Sequence, residues 1–440
     1  MIEINQKDWA ARWAIYSPDK VAVKSGLDGR TLTYGELHHW GNALANHLLH
    51  DQQLKKGDRI AVLAENGLEY ILLFTAAQKT GLILVPLNYR LAPAEIDYLI
   101  RDAKPALVLY QEHLVDKVAT LQKDSQQLLP LASLMQDSST LSSSLRSLPP
   151  VEIEDDHPIF ILYTSGTTGF PKGALYTHKM LFWNSINTSI SLIVNPNSRT
   201  LNVMPPFHTG GWNVLTTPFL HQGGYSCLLP KFEPAQVLDL IVTEGVTIFM
   251  GVPTMLKMMA DLPAFERADF SQLLYIIVGG EAMPIPLIEK WQAKGVPIRQ
   301  GYGMTEVGPN LTSLHQDDAI RKKGSIGRPN FYVVTSIRRP DGTKVPRNET
   351  GELWLKGPMV SPGYWQNPAA TEQSRTGDWF KTGDLVRQDH EGYLYVVDRI
   401  KNMYISGGEN VYPAEVERVL LTHPQISEAA VIGVADDKWG

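Results

Sequence analysis

The most informative stretch of this sequence is Tyr163-Thr164-Ser165-Gly166-Thr167-Thr168-Gly169-Phe170-Pro171-Lys172-Gly173, which lies between apolar, strand-like runs at 158–162 and 174–176. Glycine N–H groups, hydroxyls and a cation are the groups that polyphosphate oxygens need. A Walker loop is excluded because proline precedes the lysine and glycine follows it. The proline also removes an N–H donor and disfavours helix at the residue before it. The stretch therefore predicts a phosphate-binding hairpin loop, against the alternative of a flexible Gly/Thr turn.

The composition is that of a globular protein with several domains. The chain has 440 residues, of which 43% are hydrophobic and 20% charged, and this length corresponds to roughly two to four domains. A net charge of −6 argues against a nucleic-acid partner. The single cysteine, Cys227, lies in an apolar run, so we expect a buried thiol and no internal disulfide. No run of about 18 apolar residues and no signal peptide is visible, so we expect a cytoplasmic protein without a transmembrane segment.

Residues 1–120 alternate between strand-like and helix-like segments. Apolar runs predict strands at 21–23, 60–63, 82–86 and 106–109. Helical spacing predicts helices after the capping box of Thr33 and Glu36, around 69–80, and from Pro93 to about 102. Strands that are apolar throughout are typical of a parallel sheet covered on both faces. Residues 122–157, rich in serine, proline and acidic residues, are expected to form a surface connector.

The same alternation resumes after the hairpin and produces three unusual strand ends. Strands are predicted at 200–204, 225–229, 247–250 and 275–278, and helices at 179–193, 212–222 and 284–294. In an open α/β sheet, ligands bind beyond the carboxyl ends of the strands. The unusual ends are His208, Gly279-Gly280-Glu281 and Gly301-Tyr302-Gly303-Met304-Thr305-Glu306.

From about 324 to 400 the sequence becomes rich in strands and turns, such as Pro340-Asp341-Gly342. The predicted fold class is therefore α/β, with a large N-terminal domain of two doubly wound sheets and a β-barrel-like subdomain over residues 1–400. A small α+β C-terminal domain is expected to begin at 401, with a helix at 414–421 and a strand at 429–434.

Four separate motifs, in the correct order, resemble the signatures of the adenylate-forming superfamily, which includes acyl-CoA synthetases, luciferases and peptide-synthetase adenylation domains. They are the stretches 163–173 and 301–306, the triplet Thr382-Gly383-Asp384, and Asp398-Arg399-Ile400-Lys401-Asn402-Met403 followed by Ser406-Gly407-Gly408-Glu409-Asn410. The resemblance runs from about residue 15 to the end of the chain, and a fatty acyl-CoA synthetase fits it best. It implies that a carboxylate and ATP form an acyl-adenylate and pyrophosphate, after which coenzyme A displaces AMP. The implied cofactors and co-substrates are ATP, Mg²⁺ and coenzyme A.

The residues themselves suit this chemistry, which requires a held triphosphate, an offset to its charge and a positioned carboxylate. Lys172 suits the β- and γ-phosphates, Glu306 is a hard oxygen ligand for Mg²⁺, and Asp384 can accept both ribose hydroxyls. The alternatives are a surface carboxylate at Glu306, an Asx turn at Asp384, and a core aromatic at Tyr302, which is otherwise placed to stack on adenine. The expected nucleotide-binding residues are Thr164, Ser165, Gly166, Thr167, Thr168, Gly169, Lys172, Gly280, Glu281, Ala282, Tyr302, Gly303, Met304, Thr305, Asp384 and Arg399. The expected catalytic residues are Lys172, Thr305, Glu306 and His208, and the expected metal ligands are Glu306 and Thr168.

The resemblance also implies sites for the acid and for coenzyme A. His208 is similar to a gating residue at the acyl pocket, and Trp212 to a gating tryptophan of some fatty acyl-CoA synthetases, against the alternative of a structural turn with a core tryptophan. The expected acyl pocket consists of His208, Trp212, Gly279, Gly301 and Val307. Lys401 is the expected hinge, and Ser406, Gly407 and Gly408 form the expected loop on the coenzyme A side. Apolar side chains near His208 and Gly301 favour a medium- or long-chain fatty acid over an aryl acid.

Several alternatives stay open from the sequence. An ATP-binding phosphotransferase would release ADP, and a binding module would release nothing, whereas adenylation releases AMP and pyrophosphate. A homodimer also stays open. The superfamily's C-terminal catalytic lysine is not matched by Lys438, so residues 401–440 are expected to be the start of a truncated mobile domain, with slow turnover as the consequence.

Overall fold

A computed structural model describes residues 6–118, 127–136, 151–164, 170–280, 283–406, 409–421, 423, 425–426 and 428–434. Its strands are β1 (Val21–Ser25), β2 (Thr31–Thr33), β3 (Arg59–Leu63), β4 (Ile83–Pro86), β5 (Leu107–Tyr110), β6 (Gln127–Pro130), β7 (Pro158–Thr164), β8 (Lys172–Thr177), β9 (Arg199–Asn202), β10 (Tyr225–Leu228), β11 (Ile248–Gly251), β12 (Tyr275–Val278), β13 (Ile298–Met304), β14 (Gly308–Leu314), β15 (Arg328–Pro329), β16 (Val334–Arg338), β17 (Thr350–Lys356), β18 (Arg375–Thr376), β19 (Trp379–Gln388), β20 (Leu394–Arg399), β21 (Tyr404–Ser406) and β22 (Glu409–Val411).

The helices alternate with these strands along most of the chain. They are α1 (Trp9–Tyr16), α2 (Tyr34–Asn46), α3 (Leu68–Thr80), α4 (Pro93–Ala103), α5 (Val115–Val118), α6 (Ser133–Gln136), α7 (His178–Leu192), α8 (Thr216–Gln222), α9 (Pro234–Thr243), α10 (Pro253–Ala260), α11 (Ile285–Ala293), α12 (Pro368–Gln373) and α13 (Pro413–Leu420). Wider π-helical turns cover His47–Asp51 and Gly210–Val214, and 3-10 turns cover Glu112–Leu114, Pro263–Arg267, Thr305–Val307 and Gln316–Asp318. The predicted capping box is present, because Thr33 Oγ1 accepts from the Glu36 N–H and Glu36 Oε2 accepts from the Thr33 N–H.

The predicted phosphate hairpin lies at the edge of the first sheet. The described strands of this sheet run in the order β6-β5-β3-β4-β7-β8, and all of them pair in parallel except β7 with β8, where Thr164 faces Lys172. The antiparallel pair confirms the hairpin, although residues 165–169 lie outside the described part of the chain. The expected surface connector at 122–157 is wrong in one place. Residues 127–130 form β6, because the apolar Leu128 and Leu129 extend the sheet beside β5.

A four-stranded sheet in the order β2-β1-β10-β9 adjoins a five-stranded sheet in the order β11-β12-β13-β14-β15, and the two are together called the second sheet. The Thr247 N–H donates to the Arg199 carbonyl (2.9 Å), so β11 begins beside the start of β9. Helix α3 is buried along nearly its whole length. Its Phe74 ring packs against Phe160 of the first sheet (5.8 Å) and Trp212 (5.5 Å). Burying side chains of this size contributes about 1.5–3 kcal/mol each, which holds α3 against the first sheet and the Gly210–Val214 turn.

The β-rich region forms a third, antiparallel sheet in the order β16-β17-β19-β18, with β20 on β19. The chain then continues into the β21–β22 hairpin and α13. The expected strand at 429–434 is wrong. In the described chain no partner strand lies beside it, and the Val431 N–H donates instead to Glu417 Oε1 (2.9 Å).

Two features of composition have direct structural counterparts. Cys227 is fully buried, and burial raises the pKa of its thiol to about 12, so it is an unreactive core residue as expected. Among the described residues, no helix is both long enough and apolar enough to cross a membrane.

Candidate active site

Four side chains from three distant segments meet beside the phosphate hairpin. Tyr364 OH donates to Glu306 Oε1 (2.9 Å), and Thr164 Oγ1 lies 3.4 Å from the same oxygen. The Lys172 ammonium lies over the Tyr364 ring, 5.7 Å from its centre. Glu306 is buried at 8% exposure, and Tyr364 contacts both this carboxylate and the Lys172 ammonium. This arrangement suits a ligand that carries both phosphate oxygens and a divalent cation.

Backbone geometry brings these segments together. Strand β13 carries the first four residues of the 301–306 motif and has a bulge next to Gly303, and the 3-10 turn Thr305–Val307 then leads back into β14. A Cβ on Gly303 would lie 2.1 Å from the Pro309 carbonyl oxygen, so only glycine fits there. Residues 361–365 run antiparallel to β8, because the Leu175 N–H donates to Gly363 O and the Trp365 N–H to Gly173 O. This crossing places Tyr364 next to Lys172.

Sequence reasoning missed Tyr364. The preceding Pro362-Gly363 pair marks a turn, but no local pattern relates residue 364 to residue 306. The Tyr364 hydroxyl is buried beside the Glu306 carboxylate, and both effects raise its pKa above the usual range, with burial the larger. Tyr364 therefore acts as a neutral hydrogen-bond donor at neutral pH.

The second cluster is built around Asp384, at the bulged junction of β19 and β20. Tyr302 OH donates to Asp384 Oδ2 (2.5 Å), and Arg399 Nε lies 3.2 Å from Oδ1. The Thr382 hydroxyl accepts from the Asp384 N–H (3.0 Å), and Gly383 adopts a positive φ of 73°. Burial raises the pKa of Asp384, and the contacts with Tyr302 and Arg399 oppose this shift. The predicted ribose residue is thus a buried carboxylate with an exposed arginine at its rim.

A small pocket lies beside the loop that carries His208. Met204 and Gly210, which flank the His208 loop, line it together with Leu215 and Met250. A Cβ on Gly279 would stand 4.0 Å from Met250 Cε and 3.8 Å from the Gly301 carbonyl oxygen. Gly279 therefore lies close both to Met250 of the pocket and to Gly301 of β13.

His208 is exposed on the loop between Met204 and Gly210, with its ring 4.5 Å from that of Phe207. Surrounding protein still desolvates the ring, and nearby Arg90 adds a positive charge, so both effects lower the pKa of His208. The imidazole is neutral at pH 7, and it can donate one hydrogen bond and accept another.

Two predicted acyl-pocket residues are buried side chains. Trp212 is 2% exposed in the core, its ring 5.1 Å from both Tyr70 and Phe160, and its Nε1 donates to the Pro206 carbonyl (2.8 Å). Val307 is fully buried in the cluster under the third sheet. Both positions follow from packing, because large apolar side chains next to a sheet junction bury more area in the core than at a pocket rim. Trp212 also lines a small cavity with Tyr70 and Asn202, so its role at the acyl pocket stays a prediction.

The remaining predicted residues divide into two groups. Gly280 has a φ of +89° with open space around it, Thr305 and Met304 lie between the two clusters along the chain, and Lys401 is exposed just after β20. Ser406 ends β21. Residues Ser165, Gly166, Thr167, Thr168, Gly169, Glu281, Ala282, Gly407 and Gly408 lie outside the described part of the chain. In the described part, no cluster of three or more His, Cys, Asp or Glu side chains could hold a metal ion.

Comparison with known proteins identifies the family. The pattern of the AMP-binding enzymes matches residues 10–365. The chain belongs to this family, and hence to the adenylate-forming superfamily.

The similar proteins are named for several different acids. The chain is 37% identical over 432 residues to a feruloyl-CoA synthase of Amycolatopsis sp (98% of this chain, 86% of the relative). It is 37% identical over 426 residues to the long-chain-fatty-acid–CoA ligase FadD13 of Mycobacterium tuberculosis (95% and 83%). It is 35% identical over 440 residues to an indoleacetate–CoA ligase of Aromatoleum aromaticum (98% and 86%).

Solved structures agree with this assignment. A fatty acyl CoA synthetase of Mycobacterium tuberculosis superposes with a TM-score of 0.88 at 34% identity, over 99% of this chain and 86% of the other. The o-succinylbenzoate coenzyme A synthetase MenE of Bacillus subtilis, solved with ATP and a magnesium ion, superposes with a TM-score of 0.87 at 31% identity, over 98% and 88%. These matches confirm the α/β architecture of several sheets predicted from the sequence.

Proposed function

We propose that this acid–CoA ligase joins an apolar monocarboxylic acid to ATP as an acyl-adenylate, releasing pyrophosphate, and then transfers the acyl group to coenzyme A with release of AMP. The observation that carries the proposal is the cluster of Lys172, Tyr364, Glu306 and Thr164 at the mouth of the phosphate hairpin. A cation and a buried carboxylate at this position can divide the work of binding a triphosphate and its metal ion.

Each member of the cluster has a distinct role in the proposal. The Lys172 ammonium contacts the phosphates and offsets the charge that develops as pyrophosphate leaves. Tyr364 supports both neighbours: its ring lies beneath Lys172 and its hydroxyl holds Glu306. Glu306 is the residue that would hold Mg²⁺, an ion that prefers oxygen ligands and offsets phosphate charge when bound. MenE, solved with ATP and magnesium, supports this choice of cofactor.

Asp384 is proposed to accept hydrogen bonds from the ribose hydroxyls. Its two oxygens already accept from Tyr302 and Arg399, and each carboxylate oxygen has a second lone pair free for a ligand donor. Tyr302 is therefore proposed to fix the carboxylate through its hydroxyl while its ring face remains the candidate surface for adenine.

The acid is proposed to lie in the pocket between Met204, Gly210, Met250 and Gly279. Its carboxylate would point towards His208 and Gly301, where the neutral imidazole can donate a hydrogen bond without adding a fixed charge. Unbranched methionine side chains adapt to different shapes, which suits an apolar tail. We favour a medium- or long-chain fatty acid. An aryl-substituted acid is the second candidate, because a feruloyl-CoA synthase is as similar to this chain as FadD13 is.

The domain assignment is also a proposal. Residues 1–400 would hold the ATP and acid sites, and residues from 401 would rotate about Lys401 so that the loop at Ser406, Gly407 and Gly408 meets coenzyme A. In the structure, Asp398 spans this boundary: its Oδ1 accepts from Asn402 Nδ2 (3.1 Å) and its Oδ2 from the Ala414 N–H (2.9 Å). These bonds connect the last strand before the proposed hinge to the first turn of α13.

The test is product analysis with separate acids. The purified chain would be incubated with MgATP and octanoate, palmitate, ferulate or succinate, with and without coenzyme A, and AMP, ADP, pyrophosphate and acyl-CoA would be quantified. Acid-dependent AMP and pyrophosphate in equal amounts, with acyl-CoA formed only when coenzyme A is added, is the expected result. ADP as the product, or a preference for succinate, would refute the proposal. A strict preference for ferulate would refute the fatty-acid choice alone.

A further inference from the structure

We infer that Asn202 positions the acyl pocket by holding together the two ends of the loop that carries His208, and so sets which acids fit; this inference rests on the proposed function of that pocket. Asn202 is the last residue of β9 and is buried at 7% exposure. The loop that follows, residues 204–211, leaves the sheet at Met204 and re-enters the fold at Gly211. Both of these residues contact the Asn202 side chain.

The carboxamide of Asn202 uses both of its polar ends. The Met204 N–H donates to Asn202 Oδ1 (2.9 Å), while Asn202 Nδ2 donates to the Gly211 carbonyl (2.8 Å) and to Thr216 Oγ1 (2.9 Å). A backbone N–H can only donate and a carbonyl can only accept, so these partners also fix the orientation of the amide. Aspartate would lack the donor for Gly211, and leucine would lack both functions.

A second asparagine, Asn66, also forms a hydrogen bond with the start of the loop. Asn66, from the β3–α3 connection of the first sheet, donates through Nδ2 to the Met204 carbonyl (2.8 Å) and lies 3.2 Å from the Leu229 carbonyl. Both backbone polar groups of Met204 are thus bonded to asparagine side chains. The loop ends also touch directly, because a Cβ on Gly211 would lie 2.3 Å from the Pro205 carbonyl oxygen.

The hydrogen bonds of Asn202, called the clamp below, lie next to the proposed acyl pocket, so they would affect which acid fits. Asn202 itself lines the pocket. Met204, at the start of the loop, and Gly210, next to its end, also line it. The side chain of Met204 closes the space that glycine leaves at 210, since a Cβ there would be 3.9 Å from Met204 Cε. If the loop ends separate, this wall moves outward and His208 moves with the loop. Asn202 is therefore a positioning residue, acting through the loop and not through the phosphates.

The test compares Asn202→Asp and Asn202→Leu, both close in shape to asparagine, with Asn330→Asp as the matched control. Asn330 is also 7% exposed and donates one hydrogen bond to a backbone carbonyl, that of Asn310 (2.9 Å). We expect the Asn202 variants to lose about 10–100-fold in kcat/KM for octanoate, as small misplacements of reacting groups do. We expect the palmitate-to-octanoate ratio of kcat/KM to rise by about fourfold, the effect of seating one more methylene. The control should leave both the ratio and the KM for ATP unchanged.

The palmitate-to-octanoate ratio of kcat/KM does not depend on the fraction of folded enzyme. If Asn202 only stabilises the fold, its variants should therefore keep the wild-type ratio, and that result would overturn the inference. Hydrogen exchange at residues 203–212 provides a readout that does not require activity. Faster exchange in this segment of the Asn202 variants, and not of the control, supports the clamp, whereas unchanged exchange overturns it. Asn66→Ala, which loosens only the entrance, should produce a smaller shift in the same direction and serves if Asn202 variants fail to fold. A wild-type chain that forms no AMP with any acid would instead refute the proposed function, because the exchange result stands independently.

Discussion

Replacing Asp384 by asparagine should weaken ATP binding without damaging the fold. The amide keeps the shape of the carboxylate but removes its charge, so ribose hydroxyls would donate to a neutral acceptor. Hydrogen bonds to charged groups contribute about 1.5–3 kcal/mol and neutral ones about 0.5–1.5 kcal/mol. Two such bonds would therefore lose about 2–3 kcal/mol together, which corresponds to a rise of about 30–150-fold in the Kd of MgATP.

The raised pKa of Asp384 leads to a second expectation, which concerns the stability of the protein without ATP. Burial raises that pKa above its ordinary 3.8, so the folded state holds the proton more tightly than the unfolded chain does. Stability in the absence of ligand then falls as pH rises from the ordinary value through the raised one, and the ionised carboxylate carries this cost at pH 7. Asp384→Asn removes the cost, so the unliganded variant should melt no lower than wild type at pH 7. ATP binding by wild type should weaken as pH falls below the raised pKa, whereas the variant should not show this dependence.

The assay is isothermal titration calorimetry with MgATP and with 2′,3′-dideoxy-ATP, which lacks both ribose hydroxyls. If Asp384 binds those hydroxyls, the dideoxy nucleotide should bind wild type and variant equally, because the contact is already absent. A loss of affinity for dideoxy-ATP as large as that for ATP would refute the reasoning and would assign the effect to altered charge or packing.

Three further outcomes are expected. Lys172→Ala should slow pyrophosphate release by about 10²–10³-fold with little change in the Kd of MgATP, because the lysine charge matters most as pyrophosphate leaves. Rapid quench kinetics would measure this rate, and a wild-type rate would show that Lys172 has no such role. Trp212→Phe should lower the melting temperature, since it removes the bond from Nε1 to Pro206 and part of the buried ring; an unchanged melting temperature would contradict the buried position of this side chain. Gly303→Ala should unfold at lower temperature than Gly301→Ala, because the added Cβ meets Pro309 at 2.1 Å at position 303 but has its nearest neighbour at 3.5 Å at position 301; equal melting temperatures would contradict the packing argument.

Features that depend on neighbours in the chain could be predicted from the sequence. The capping box at Thr33 and the hairpin around Pro171 arise from hydrogen bonds and dihedral limits within a few residues, and both are present. The motif residues Lys172, Glu306 and Asp384 could be selected because their side-chain chemistry is visible in the sequence. Which residues they contact in the fold could not be predicted in this way.

Long-range packing decided the remaining features. Glu306 meets Tyr364 across 58 residues and Thr164 across 142, and no local periodicity encodes contacts of that separation. Trp212 follows the predicted gate in sequence, yet its ring enters the core, because neighbours in a tight turn can point into different layers of the fold. The sequence thus determines the chemical groups and the turns that present them, while the pairing of residues 361–365 with β8 and the turn after β13 determine which groups share a site.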